Sequence, residues 1–155
     1  MQTIMNKNKL LGILFVLLIS PLLLNAQILD PVDWSFSKKE LGNNQYIVHL
    51  TATIDPGWHI YAQDAGEGPI PTSFTFEKND SLTYKGETRA VGKLHEEFDK
   101  AFKSELKFYE NKVDFVQYVT AKQGAKYVKG SLEYMVCDDH QCLPPKEVPF
   151  KISLQ

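Results

Sequence analysis

Along most of this chain, apolar and polar residues change places at every second position. Trp34-Ser35-Phe36-Ser37 alternates in this way, and in QYIVHLTATI (45–54) Tyr46, Val48, Leu50, Ala52 and Ile54 fall on one face. SFTFE (73–77), VDFVQYVTA (113–121), KYVKGSLEYMV (126–136) and VPFKISL (148–154) keep the same period and are rich in Val, Tyr, Phe and Thr. A period of two carried by β-branched and aromatic residues predicts strands with one buried face. Turn residues punctuate the strands at Leu41-Gly42-Asn43-Asn44, Asp55-Pro56-Gly57, Lys78-Asn79-Asp80, Glu110-Asn111-Lys112 and Gln123-Gly124. Past residue 26 no segment has a 3.6-residue period. Seven or more short strands in one unit of this size predict an all-β fold, an immunoglobulin-like antiparallel β-sandwich.

The first 26 residues follow another rule. MQTIMNKNK carries Lys7 and Lys9 without an acid, the uncharged run LLGILFVLLISPLLL follows, and Leu24-Asn25-Ala26 ends on a small residue. That order predicts a secretory signal peptide over residues 1–26, cleaved near Ala26, and a single domain over 27–155. The apolar run is broken by Pro21 and falls short of the roughly 20 residues a spanning helix needs, so the processed chain is not expected to span a membrane. No cysteine stands at the cut to carry a lipid. The chain has 17 basic and 19 acidic residues; losing Lys7 and Lys9 leaves 15 against 19, a net charge of −4. That balance argues against nucleic acid or an anionic membrane surface as a partner. Export to the periplasm or beyond also changes how cysteines are read, because thiol pairs outside the cytoplasm are normally oxidised or are held reduced by a delivered electron supply.

Two stretches break the strand rhythm. YAQDAGEGPIPTS (61–73), with two glycines and two prolines, predicts a long loop, and GKLHEEFDKAFKSE (92–105) predicts a charged loop bearing Phe98 and Phe102. Phenylalanines in such a loop need something to cover. The two cysteines of the chain stand in YMVCDDHQCLPPKEVPF (134–150). Asp138-Asp139-His140-Gln141 would form a four-residue hairpin loop with Cys137 and Cys142 facing across its base, where opposed Cα atoms lie about 4.5–5.5 Å apart, close enough for a disulfide. Three uses are open at this point. A staple closing so short a ring adds only about 2 kcal/mol, so a cross-link built for strength would join more distant strands. An exposed pair at a hairpin tip suits exchange, because a partner thiolate can reach a sulfur. A metal site of Cys137, His140 and Cys142 with His95 as a fourth ligand has no recognised zinc spacing, and the motif is not a haem attachment sequence, so no cofactor is expected.

Three stretches resemble the amino-terminal periplasmic domain of the DsbD thiol:disulfide interchange family. GWHIY (57–61) is similar to that family's Gly-aromatic-x-aliphatic-Tyr strand, HEEFDKAFKSEL (95–106) to its acidic, Phe-bearing cap loop, and CDDHQCLPP (137–145) to its active-site hairpin. The resemblance implies a sandwich whose cysteine pair passes electrons from a separate membrane-embedded donor to exported thioredoxin-like proteins. Cys137 and Cys142 would be the redox pair and Cys142 the sulfur that bonds to partners. Phe98 would be the cap, with Glu96 and Glu97 beside it and His59 and Tyr61 lining the site. His59 stands where the family pattern has an aromatic hydroxyl. The cap loop is one residue longer, which makes Phe102 a second candidate for the cap, and the cysteine spacing is one residue shorter. With no membrane or thioredoxin domain after residue 155, the expectation is a stand-alone relay. The rival expectation, from another class, is an exported binding or adhesion sandwich with a fixed disulfide, its ligand surface on loop 61–73.

Overall fold

The computed structural model describes residues 29–100 and 102–155, and the predicted signal peptide lies outside the described residues. Nine strands follow one another: β1 (Val32–Gly42), β2 (Gln45–Ile54), β3 (His59–Tyr61), β4 (Ser73–Phe76), β5 (Leu82–Asp99), β6 (Ser104–Ala121), β7 (Tyr127–Tyr134), β8 (Val136–Cys137) and β9 (Lys146–Ser153). They make two antiparallel sheets, β4-β7-β9 and a larger one built around β6. The result is an immunoglobulin-like sandwich, as the alternation predicts.

The alternating residues supply the core. Val48, Leu50, Ala52 and Ile54 from β2 are buried with Val113, Phe115 and Val119 from β6 and with Val128, Leu132, Phe150 and Ile152 from the other sheet. Each such aliphatic or aromatic side chain stabilises the fold by about 1.5–3 kcal/mol through the surface it removes from water. Phe115 sits at the centre, its ring 4.9 Å from Phe74 and 5.9 Å from Trp34. One buried polar residue interrupts the pattern. Gln117 accepts the Thr88 hydroxyl at 2.9 Å and donates to the Lys85 carbonyl at 3.1 Å, filling the backbone needs of an irregularity in β5 between Lys85 and Arg89.

Three expectations change. The stretch 92–105 is no loop: residues up to Asp99 continue β5, Ser104 begins β6, and the two strands form a long hairpin. Glu110-Asn111-Lys112 is no turn but a kink inside β6, with Asn111 at φ 60°. Beyond that kink β6 exchanges its neighbour β2 for β3, so the end of the β5–β6 hairpin lies beside β3 and β8. The strand expected over 126–136 breaks at Met135: β7 belongs to the smaller sheet, while β8 pairs with β3 in the larger one. This change of sheet delivers Cys137 to the edge of β3.

Candidate functional site

The hairpin after β8 is closed by its own backbone and by one carboxylate. The Asp138 N–H donates to the Gln141 carbonyl at 2.9 Å, and the Leu143 N–H to that of Val136 at 2.9 Å. The Asp138 carboxylate accepts the N–H groups of both His140 and Gln141 at 2.7 Å. Those bonds, the His140 amide foremost, hold its pKa below the ordinary carboxylate value. Cys137 and Cys142 oppose each other as an antiparallel bridge, Cα to Cα 4.1 Å, and form a disulfide. Its two ends differ: Cys137 is only 1% exposed, whereas Cys142 is open to solvent.

Cys137 belongs to a small apolar cluster of its own, with Tyr61, Ala65 and Leu106 buried and Phe102, Phe108 and Met135 packed against it. The Tyr61 hydroxyl donates to Cys137 Sγ at 3.3 Å. Burial, helped by the Asp99 charge, raises the Tyr61 pKa to about 12, so the phenol keeps its proton at any physiological pH. His59 is the register partner of Cys137 across β3 and β8, which puts the two side chains on one face. Its ring meets Tyr61 edge-on at 5.2 Å and Phe108 at 4.6 Å. Burial lowers the His59 pKa against the pull of Glu110, Asp139, Asp99 and Asp138, which raise it. Trp58 and Ile60 pack instead against the main core, as strand alternation requires.

Two clefts share His59, Tyr61, Asp99 and Asp139 in their walls. The one that contains the disulfide, about 370 Å³, is lined by Phe102 as well as by residues 137–142. The other, about 160 Å³, is lined by Phe98, Glu97, Leu106, Phe108 and Glu110. The structure therefore brings Cys137, Cys142, His59, Tyr61 and Phe102 together. Phe98, 59% exposed, and Glu97 stand on the neighbouring cleft, while Glu96 is exposed opposite Lys107 in the register. His95 is stacked on Phe108 at 5.3 Å and lies 3.7 Å from Glu110, and it does not line the cleft that holds the disulfide. Among the described residues no three His, Cys, Asp or Glu side chains are grouped as metal ligands.

The loop predicted over 61–73 is observed over residues 62–72, Tyr61 ending β3 and Ser73 opening β4, and it is tied down. The Ala62 N–H donates to the Lys107 carbonyl, the Lys107 N–H to that of Ala65, and the Thr72 hydroxyl to that of Tyr61 at 2.6 Å. Gly68, at φ +123°, passes so close to Phe102 that a Cβ there would collide with the ring. This loop thus backs the tip of the β5–β6 hairpin, and Phe102 is held between Gly68 and Tyr61, whose ring centroid lies 6.5 Å away. Asp99 accepts the Phe102 N–H at 2.9 Å and fixes the turn. Neither Asp99 nor Phe108 was singled out from the sequence. The signal available was the D-x-x-F spacing, a side-chain-capped turn.

The fold is thus an immunoglobulin-like sandwich with a disulfide at a hairpin tip, one cysteine buried and the other exposed. Residues 26–153 match the family described as thiol:disulfide interchange protein DsbD, N-terminal, and the chain belongs to that family. It is a thiol:disulfide interchange domain. No curated protein matches the sequence. Among solved structures, the fold is similar to the N-terminal periplasmic domain of ScsB from Proteus mirabilis, at 15% identity and a TM-score of 0.56. That match covers 79% of this chain and 45% of the Proteus chain, so this chain spans less than half of that relative. It is also similar to a structure of the complex between the DsbD N-terminal and PilB N-terminal domains from Neisseria meningitidis, at 18% identity and a TM-score of 0.53, over 81% of this chain and 87% of that one.

Proposed function

We propose that the Cys137–Cys142 disulfide is the exchanging group and that the protein is an exported protein-disulfide reductase. In this reading it takes electrons from a separate membrane-embedded donor and passes them to thioredoxin-like proteins. The observation that carries the reading is the asymmetry of the disulfide: Cys142 is open to solvent while Cys137 lies in an apolar cluster under a hydroxyl donor. Exchange proceeds by attack of a thiolate on one sulfur through a mixed disulfide, and such an arrangement offers a partner one sulfur and protects the other. Cys142 bonds to the partner and Cys137 resolves. Phe102 serves as the cap, with Phe98, Glu96 and Glu97 on the rim a partner meets. The Neisseria structure, in which a DsbD N-terminal domain is bound to a PilB N-terminal domain, supports a protein partner. Equilibrating the protein in glutathione buffers, with redox state read by alkylation, tests the proposal. A potential well above the roughly −300 mV of structural disulfides is expected; one below it would make the bond a fixed staple.

Export is part of the same proposal. The family match begins at residue 26, where the predicted signal peptide ends. Among the described residues no helix is long and apolar enough to cross a membrane. The mass of the protein recovered from its native envelope should correspond to a chain starting near Gln27. A chain still carrying Met1 would remove the argument from compartment.

A further inference from the structure

We propose that His59 accepts the proton of Cys137 when this buried thiol attacks Cys142, and so is a catalytic residue of the exchange. The inference rests on the reading above, in which Cys137 resolves the mixed disulfide. The thiolate is the nucleophile, and apolar burial disfavours it, so a sealed resolving sulfur needs a base beside it. Tyr61 donates to Cys137 Sγ at 3.3 Å in the disulfide and would stabilise the anion from the same position, but it is itself a donor with a pKa near 12 and cannot take the proton. Asp99, Asp138 and Asp139 line the cleft, and their negative charges oppose a thiolate. Asp99 and Asp138 already accept backbone N–H groups.

Among the described residues, His59 meets the three requirements together. It faces Cys137 directly across the β3–β8 pair, it lines the cleft that holds the disulfide, and burial keeps its imidazole neutral at physiological pH. The titratable groups His140 and Tyr61 face it, together with the carboxylates Glu110 of β6, Glu97 and Asp99 of β5, and Asp138 and Asp139 of the hairpin loop. The carboxylates would hold the imidazolium long enough to pass its proton on. In the resolving step the Cys137 S–H proton moves to a ring nitrogen of His59, and Cys137 Sγ bonds to Cys142 Sγ. The bond from Cys142 to the partner breaks, and the partner's sulfur leaves with the electron pair as a thiolate. The proton then passes from His59 to that thiolate or to water in the open cleft.

An aryl disulfide, dithiobis(nitrobenzoate), separates the two steps. The reduced protein should release one thionitrobenzoate when Cys142 attacks and a second when Cys137 resolves, the dithiol being oxidised and the reagent reduced to two anions. His59→Gln should leave the first phase unchanged and slow the second by roughly 10²-fold at neutral pH. The parent's second phase should level off above the His59 pKa, below 6.5, whereas that of the variant should keep rising with pH. Added imidazole should restore the second phase in His59→Ala, which a packing role would not allow. A second phase in His59→Gln with the parent's rate and pH profile overturns the proposal. So does transfer of the effect to His140→Ala or Asp99→Asn. Loss of the first phase in Cys137→Ser but not in Cys142→Ser would instead overturn the reading beneath it, and His59 with it.

Discussion

Cys142 opens the outgoing arm of its hairpin, where Pro144 and Pro145 carry no amide hydrogens, and is an exposed residue, whereas Cys137 is buried and accepts the Tyr61 hydroxyl. The chemistry of each sulfur follows from that difference in access. Cys137→Ser should accumulate a stable mixed disulfide through Cys142 with a thioredoxin-like protein, seen on a non-reducing gel, because no resolving thiol remains. Cys142→Ser should trap little, since a partner cannot reach Cys137. The reverse pattern would exchange the two roles. At this scale the sequence is a good guide to identity and a poor one to environment. The spacing of Cys137 and Cys142, the turn-forming Asp138 and the Asp99-x-x-Phe102 turn can be read locally, but that this turn sets Phe102 on the wall of the disulfide cleft cannot, because the cleft forms only once the hairpin meets β3 and β8.

The β5–β6 hairpin is where local pattern fails and packing decides. β5 is an edge strand whose side chains are largely exposed, Val91 and Leu94 among them, so it has no apolar alternation to betray it. What holds it is a backbone ladder to β6 along nearly its whole length. Its tip reaches the disulfide because β6 kinks at Asn111 and because loop 61–73 braces it from behind. The brace makes the cap testable. Phe102→Ala should speed reduction of the disulfide by glutathione by several-fold, as should Gly68→Ala, which forces the ring aside and strains a left-handed backbone position at a cost of about 1–3 kcal/mol. Phe98→Ala should leave the rate near the parent's. A faster reduction in Phe98→Ala alone would return the cap to that residue.

Across the whole molecule, the main core and the small cluster around Cys137 are separate. The core forms between the two sheets, while Tyr61, Ala65, Leu106 and Cys137 make their own group under the hairpin tip. The disulfide joins residues only five apart in sequence, so it removes little freedom from the unfolded chain, about 2 kcal/mol in the chain-entropy model. The reduced protein should therefore stay folded, with a melting temperature lower by roughly 5–10 °C. Retained β-sheet circular dichroism with a single shifted transition is the expected result. Unfolding on reduction would mean that the bond is a staple. A relay has to survive in both redox states, and the separation of the two clusters permits it.

The sequence by itself determined the all-β class, the buried face of β2, the main core strands and the hairpin that closes between Cys137 and Cys142. All of these follow from interactions within a few residues or from burial on one face, which alternation records. Only the tertiary structure decided that β5 exists as one long strand, that the chain changes sheets at Met135, and that Phe102 rather than Phe98 shares a cleft with the disulfide. Those outcomes depend on backbone pairing at a sheet edge and on contacts between segments distant in the chain. Such bonds are made by N–H and C=O groups that every residue carries, and so leave little trace in which residues stand there.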